Sequence, residues 1–388
     1  LDGGRIATDK FDVRYYLQQN PDLSNIGFNY RQAYEHFTQY GLKEGRNASN
    51  LITSDFAGNN FETAREIAIS SNLTTVRDAG SRGYGIVALK NREIQTSFAL
   101  PYVLVSGPPI TPTGGHLYWM GGEVDGVREI RAAVRERVKR GVDVIKIIAT
   151  GGKMTPNTRP ENVAYSFREL QSAVAEAHRL GVRVTAHCLN ARGIRLAVKS
   201  KIDCIDHAAF FVRNPQGQLV RMIDKEAAQL LADTGVYVIP CLSAGYHRLD
   251  EIRNQPKTAE DYFQLEQERL MFEHFTELVK KGVQMVVGTD AGVTLTPFNE
   301  TFLELILMVR AGLQPEEALR AATYHAAQAL GLSGRKGVIQ AGADADIVGS
   351  LSDPTTDIAA VRNIVWVMRE GRIIIDRREN KEGGDVWA

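Results

Sequence analysis

VDVIKIIATGG (142–152), RVTAHC (183–188) and CIDHAAF (204–210) are three short runs rich in apolar and β-branched residues. The first two are separated by an amphipathic stretch, Phe167–Leu180, with helical spacing of its apolar residues. Runs of this length and composition read as parallel strands buried on both faces. Working outward, four more runs share the character: Leu73–Arg77, Ala99–Ser106, Val236–Cys241 and Met285–Thr289. Val127–Arg140 and Phe272–Lys281 read as further amphipathic helices, and Thr301–Ala311 and Pro315–Leu330 follow the last strand. Pro315 with the two glutamates after it suits a helix N-terminus. Alternating strand and helix over residues 58–332 predicts a (β/α)8-type TIM barrel rather than a doubly wound sheet, because such barrels take ~250 residues. Seven strands are counted, so the expectation is a barrel missing its first strand.

The flanks differ. Residues 1–50 are rich in Tyr, Asn, Gln and Phe and predict short helices at 11–19 and 30–41, unrelated to the barrel. Their words FDVRYYLQQNPDL (11–23) and AYEHFTQYGLKEGRNAS (33–49) resemble a short repeat of bacterial extracellular and calcium-associated proteins. The barrel occupies 51–332. Residues 333–388 predict a small β domain and tail, with Glu370-Gly371 as a hairpin turn.

Composition excludes several classes. Of 388 residues, 46 are basic and 46 acidic, which leaves no basic field for a phosphate backbone, so no nucleic-acid partner is expected. No run reaches the ~20 apolar residues of a membrane helix, so no membrane partner is expected either. Cys188, Cys204 and Cys241 are too few for a disulfide framework and sit in apolar segments, reading as reduced buried thiols. With no signal-peptide pattern and no initiator Met, the chain reads as processed or as a fragment; its compartment stays open, the cytoplasm being favoured.

Catalytic residues of such barrels lie at the C-terminal ends of strands. Those ends carry Lys146, His187, His207 and Asp290, with Arg77 and Asp78 earlier. Lys146 lies between isoleucines, where desolvation favours the neutral amine. A neutral amine can take up carbon dioxide to give a metal-binding carbamate; the alternative is a buried lysine–carboxylate ion pair. His187 and His207 end successive strands, which lie about 4.8 Å apart, so their imidazoles can converge on one ion at ~2.1 Å. Asp290 closes an apolar strand, and its alternative is a helix N-cap.

The words around these residues resemble the amidohydrolase superfamily in family order. They are TTVRDAG (74–80), LVSGPPITPTGGH (104–116), GGEVDGVREIRAAV (121–134), GVDVIKIIATGG (141–152), VTAHC (184–188), IDHA (205–208), VVGTDAG (286–292), ALRAATYHAAQALGL (318–332), GVIQAGADADIV (337–348) and VWVMREGRII (365–374). The branch resembled is that of imidazolonepropionase-like proteins and of dipeptidases cleaving Xaa-Pro, Xaa-Lys or Xaa-Arg. The resemblance implies a metal-dependent hydrolase of carbon–nitrogen bonds, a barrel with a small β-sandwich, and a dipeptide or other small-molecule substrate. It casts Lys146 as a carboxylated bridging lysine, His187 and His207 as metal ligands, and Asp290 both as a member of the metal site and as the acid that orients or deprotonates the attacking water. It casts His116 as a substrate-loop histidine, a solvated loop residue being the alternative.

One family feature is missing. The first strand of these proteins carries His-x-His, whereas among the eight histidines here (36, 116, 178, 187, 207, 247, 274 and 325) no two are separated by one residue. The expectation is therefore one divalent metal per chain, zinc by ligand type, with hydrolysis impaired. The alternative is an inactive fragment or pseudoenzyme retained for binding. A homo-oligomer is compatible with either.

Overall fold

The computed structural model describes residues 72–96, 101–293 and 295–378. The helices expected at 11–19 and 30–41, and any barrel strand before residue 58, lie outside the described residues.

Strand β1 (Thr75–Arg77) pairs in parallel with β2 (Tyr102–Leu104), helix α1 (Gly85–Thr96) crossing between them. Beyond β2 the Val105 carbonyl accepts from the amides of Asp143 and Val144, and Ile110 bridges Ile147, which hands the sheet on to β3 (Val144–Ile148). Between them runs α2 (Gly126–Arg140). From β3 the order continues through β4 (Arg183–Cys188) and β5 (Cys204–His207), all parallel. An antiparallel hairpin then intervenes, β6 (Phe211–Arg213) with β7 (Leu219–Arg221), before β8 (Tyr237–Ile239) rejoins the parallel row beside β5. Val238 then bonds Gln284 and Val286 on either side of its parallel bridge to Met285. Seven parallel segments are thus found among the described residues, and none of their backbone pairings returns from 284–286 to β1.

Except for β4, the strands are shorter than the apolar runs that encode them, and Met285–Thr289 contributes one bridge rather than a ladder. Apolar character marks burial, and burial extends past the last paired residue into the loops. On β3, β4 and β5 the residues Ile145, Ile147, Val184, Ala186, Cys188 and Ile205 share the core with the surrounding helices. Lys146, Thr185, His187 and Asp206 occupy alternate positions, so the period of two turns the polar side chains to the opposite face.

Helix signals in the chain are met locally. Helix α3 (Phe167–Arg179) starts at a capping box of Ser166 with Glu169, and α4 (Ala191–Lys199) starts at Asn190, whose side chain accepts from Gly193 N. Glu176, buried on α3, receives Arg131 and Arg135 from α2 and Arg179 from its own helix. Then come α5 (Lys225–Thr234), α6 (Tyr246–Asn254) and α7 (Ala259–Lys280), the last far longer than the stretch expected at 272–281 because Thr258 and Asp261 cap it early. After α8 (Thr301–Arg310), the single helix expected over 315–330 divides into α9 (Pro315–Ala322) and α10 (Tyr324–Ala329). Thr323 leaves helical geometry at φ −123°, ψ −84°, while the Ala321 carbonyl accepts from Val287 N instead of continuing a helical ladder.

In the C-terminal part, β9 (Ile347–Ser350), β10 (Ile364–Arg369) and β11 (Arg372–Asp376) form an antiparallel sheet in the order β11-β10-β9. Glu370 (φ 47°) and Gly371 (φ 79°) turn β10 into β11, both left-handed as a type I′ turn requires. Among the described residues no helix is long and apolar enough to cross a membrane.

Candidate active site

The register of β3, β4 and β5 sets the site. Lys146 lies opposite Thr185, His187 opposite Asp206, and Cys188 opposite His207. His187 and His207 therefore project from neighbouring strand ends with ring centroids 4.8 Å apart at an interplanar angle of 75°. His116 joins them from the loop after β2, its ring 4.6 Å from that of His187. It is 4 % exposed, so its side chain is buried and not solvated. Its Nδ1 lies 2.9 Å from Thr155 Oγ1, and its backbone carbonyl accepts from Thr111 Oγ1. Gly152 makes this packing possible: a Cβ there would lie 2.4 Å from the His116 ring.

Burial lowers all three imidazoles, which favours their neutral form. Burial pushes His116 down to about 4, helped by the charges of His207 and Lys146. Burial likewise lowers His187 well below the ordinary value, with His207, His116 and Lys146 adding to it and the Gly151 carbonyl opposing. His207 is lowered by burial, against the pull of Asp290. Neutral imidazole is the form that ligates metal. The donor chemistry of His187 and His207 therefore fits a divalent ion. Among the described residues no three His, Cys, Asp or Glu side chains converge as a ready-made set.

Lys146 is engaged elsewhere. Its Nζ donates to Asp206 Oδ2, and Asp206 Oδ1 accepts from Thr185 Oγ1 at 2.8 Å and from Arg77 at 3.4 Å. Burial alone would raise the Asp206 carboxyl, but Lys146 and Arg77 outweigh it and hold the carboxyl below its ordinary value. The buried lysine–carboxylate ion pair is thus the arrangement present. Asp206 was not singled out in the sequence, although the signal was there: a lysine between isoleucines needs a buried acid, and IDH supplies one two strands away.

Asp290 follows the last barrel segment, exposed, with φ 57°. It shares left-handed backbone with His207 (φ 74°), Ala208 (φ 46°), Phe210 (φ 55°) and Cys241 (φ 54°), all at or just beyond strand C-termini. Non-glycine residues in this region are strained, and such strain gathers where side chains must be aimed. Glu304, fully buried on α8, accepts from the amides of Leu242 and Ser243 at 2.9 and 2.7 Å and so holds the turn after β8. Burial pushes its carboxyl up to about 7, the neighbouring Asp290 contributing. His247 pairs with Glu300 at 2.5 Å, and Ser243, Thr289 and Thr296 line the small cleft beside them. His178 and His325 lie apart from the three imidazoles: His178 pairs with Asp203 and His325 stacks near Tyr324.

The sequence profile described as "Amidohydrolase family" matches residues 33–374. The chain is a member of the amidohydrolase family. This amidohydrolase is 31% identical over 321 residues to an ochratoxinase of Aspergillus niger, covering 75% of this chain; it spans only 62% of that relative's length. Among solved structures it resembles a Xaa-Pro dipeptidase with methionine bound in the active site, at a TM-score of 0.71 and 27% identity over 81% of this chain and 79% of the other. It also resembles a prolidase complexed with N-methylphosphonate-L-proline, at 0.68 and 26%, over 84% and 83%. The fold class is therefore the TIM-barrel type of the amidohydrolases, and the seven parallel segments are parts of that barrel.

Proposed function

We propose that this amidohydrolase is a metal-dependent hydrolase of amide or peptide bonds in small substrates such as dipeptides or N-acyl amino acids. The observation that carries the reading is the pair of imidazoles of His187 and His207, with ring centroids 4.8 Å apart at adjoining strand ends. The names of the similar structures, a Xaa-Pro dipeptidase and a prolidase, support the substrate class.

One divalent ion per chain, zinc by ligand type, would be held by His187 and His207, with Lys146 as a third ligand once its amine has reacted with carbon dioxide. When bound, such an ion supplies Lewis acidity that polarises the amide carbonyl and brings the pKa of water to ~7. Asp290 takes the proton of the attacking water and returns it to the amine nitrogen as the C–N bond breaks. His116, buried against Gly152 and adjoining His187, meets the substrate from the β2 loop.

A second reading, a chain that binds without turnover, is favoured by one observation: Lys146 is paired with Asp206. The test is elemental analysis of purified protein, together with chromatographic assay of a panel of dipeptides and N-acetyl amino acids. Zinc retained through desalting, with hydrolysis that a chelator removes and zinc restores, supports the hydrolase. Metal-free protein that stays inert after zinc addition refutes it.

A further inference from the structure

Arg221 ends β7, near enough to His207 for its charge to act on that imidazole. Its backbone amide donates to Gln267 Oε1 at 2.7 Å, and its guanidinium donates to the Ala209 carbonyl at 3.2 Å. Ala209 is two residues beyond His207, so Arg221 is tied to the loop that carries this candidate ligand. The guanidinium lies 4.5 Å above the Phe211 ring, and the same ring has Lys153 Nζ at 5.4 Å. Lys153 follows Gly151 and Gly152, the residues that contact His187 and His116. Two cations from different strand ends thus share one aromatic platform beside the site.

No carboxylate pairs with Arg221 among the described residues. The buried cations Arg77, Lys146 and Lys336 have acidic partners, whereas Arg137, like Arg221, donates to backbone carbonyls. Burial pushes the Arg221 guanidinium down to about 10, with no compensating charge. Its neighbour His274 is neutral, lowered to about 4 by burial and then by Arg221, and accepts from Ile223 N. Lys153 is lowered by burial and then by the fields of Arg221 and Arg248, with Glu260 as the opposing acid. A desolvated cation without an anion is costly unless a ligand brings one. A guanidinium fork matches a carboxylate in two parallel hydrogen bonds.

We propose that Arg221, with Lys153 at its outer edge, anchors a carboxylate of the substrate, so that the site takes amides whose leaving amine bears a carboxylate. The proposal rests on the hydrolase reading for its substrate class. In a dipeptide or N-acyl amino acid that carboxylate lies one residue, ~3.6 Å of chain at most, beyond the scissile carbonyl. The anchor sets which end of the substrate enters and rejects neutral ends, because an amide would leave the guanidinium unpaired.

The test pairs hydrolysis with direct binding. Wild type, Arg221→Gln, Arg221→Lys and Lys153→Ala are assayed on Xaa-Pro dipeptides and N-acetyl amino acids with free or amidated C-termini. The same proteins are titrated calorimetrically with L-methionine and L-methioninamide, circular dichroism confirming the fold. Arg221→Gln is expected to raise KM and the L-methionine Kd by about 10- to 100-fold, the worth of a charge-assisted hydrogen bond or two. It should leave kcat less changed and abolish the preference for acid over amide. Arg221→Lys should restore part of the loss and Lys153→Ala should cost about threefold, as an exposed charge does. Unchanged preference in Arg221→Gln overturns the proposal, and so does wild type that binds L-methionine no better than its amide. Arg221-dependent binding of L-methionine without hydrolysis of any substrate leaves the anchor standing and removes the hydrolase reading.

Discussion

Replacing Asp206 by Asn tests the charge state of the barrel interior. The Asp206 side chain is 5% exposed and compensates two cations, Lys146 at 7% and Arg77 at 12%. Asparagine keeps the shape and the bond from Thr185 but leaves both positive charges without an anion. Removing one partner of a buried pair typically costs about 3–5 kcal/mol, a large share of a total stability of ~5–15 kcal/mol. For a domain of this size each kcal/mol moves Tm by ~2 °C, so a fall of about 6–10 °C is expected. Glu266→Gln, which breaks an exposed pair with Arg269, is the control and should leave the midpoint unmoved. The pH dependence has a definite sign. Because the Asp206 carboxyl is lowered in the folded protein, its stabilisation is present above the ordinary carboxylate range and is lost as pH falls through the lowered folded value. Asp206→Asn should therefore flatten the acid arm of a urea-denaturation series. If the variant is as stable as wild type or more so, the reasoning is refuted. That outcome would mean that Lys146 is no cation in the folded protein, since a carbamate there would be relieved by loss of the Asp206 charge.

Glu304 predicts the opposite trend: a carboxyl raised to about 7 stabilises below its unfolded value and loses that contribution as pH rises toward 7, so Glu304→Gln should remove part of the decline in urea midpoint between pH 5 and 8. Gly152→Ala should displace His116, since the added Cβ would lie 2.4 Å from its ring; at an overpacking cost of about 1–3 kcal/mol the fold should survive, with kcat/KM down at least about tenfold. Under the proposed function, His187→Ala should lose zinc on desalting, read by mass spectrometry, because the remaining ligands cannot hold the ion. Asp290→Asn should keep the zinc and lose turnover; equal zinc loss in the two variants would remove the distinction between ligand and base.

Fold and candidate site were legible to different depths. The apolar runs at 142–149, 183–188 and 204–209 locate β3, β4 and β5 because residues buried on both faces of a parallel sheet must be apolar whatever their partners are. The same logic places His187 and His207 at the C-terminal ends of β4 and β5, whereas Lys146, expected at a strand end, sits at the centre of β3. The long extent of α7 and the division at Thr323 were less legible: the first depends on a cap at Thr258 far from the apolar stretch, and the second on a bond from Val287 to the Ala321 carbonyl. Local pattern alone determines which residues are buried and in what rhythm, because hydrophobicity and backbone period act over a few neighbours. Partnership is decided only when distant segments meet. Asp206 reaches Lys146 across 60 positions, His116 reaches His187 because Gly152 leaves room, and the hairpin brings Arg221 to the Ala209 carbonyl and the Phe211 ring. Those three outcomes follow from strand register and loop packing, quantities to which composition and periodicity are blind.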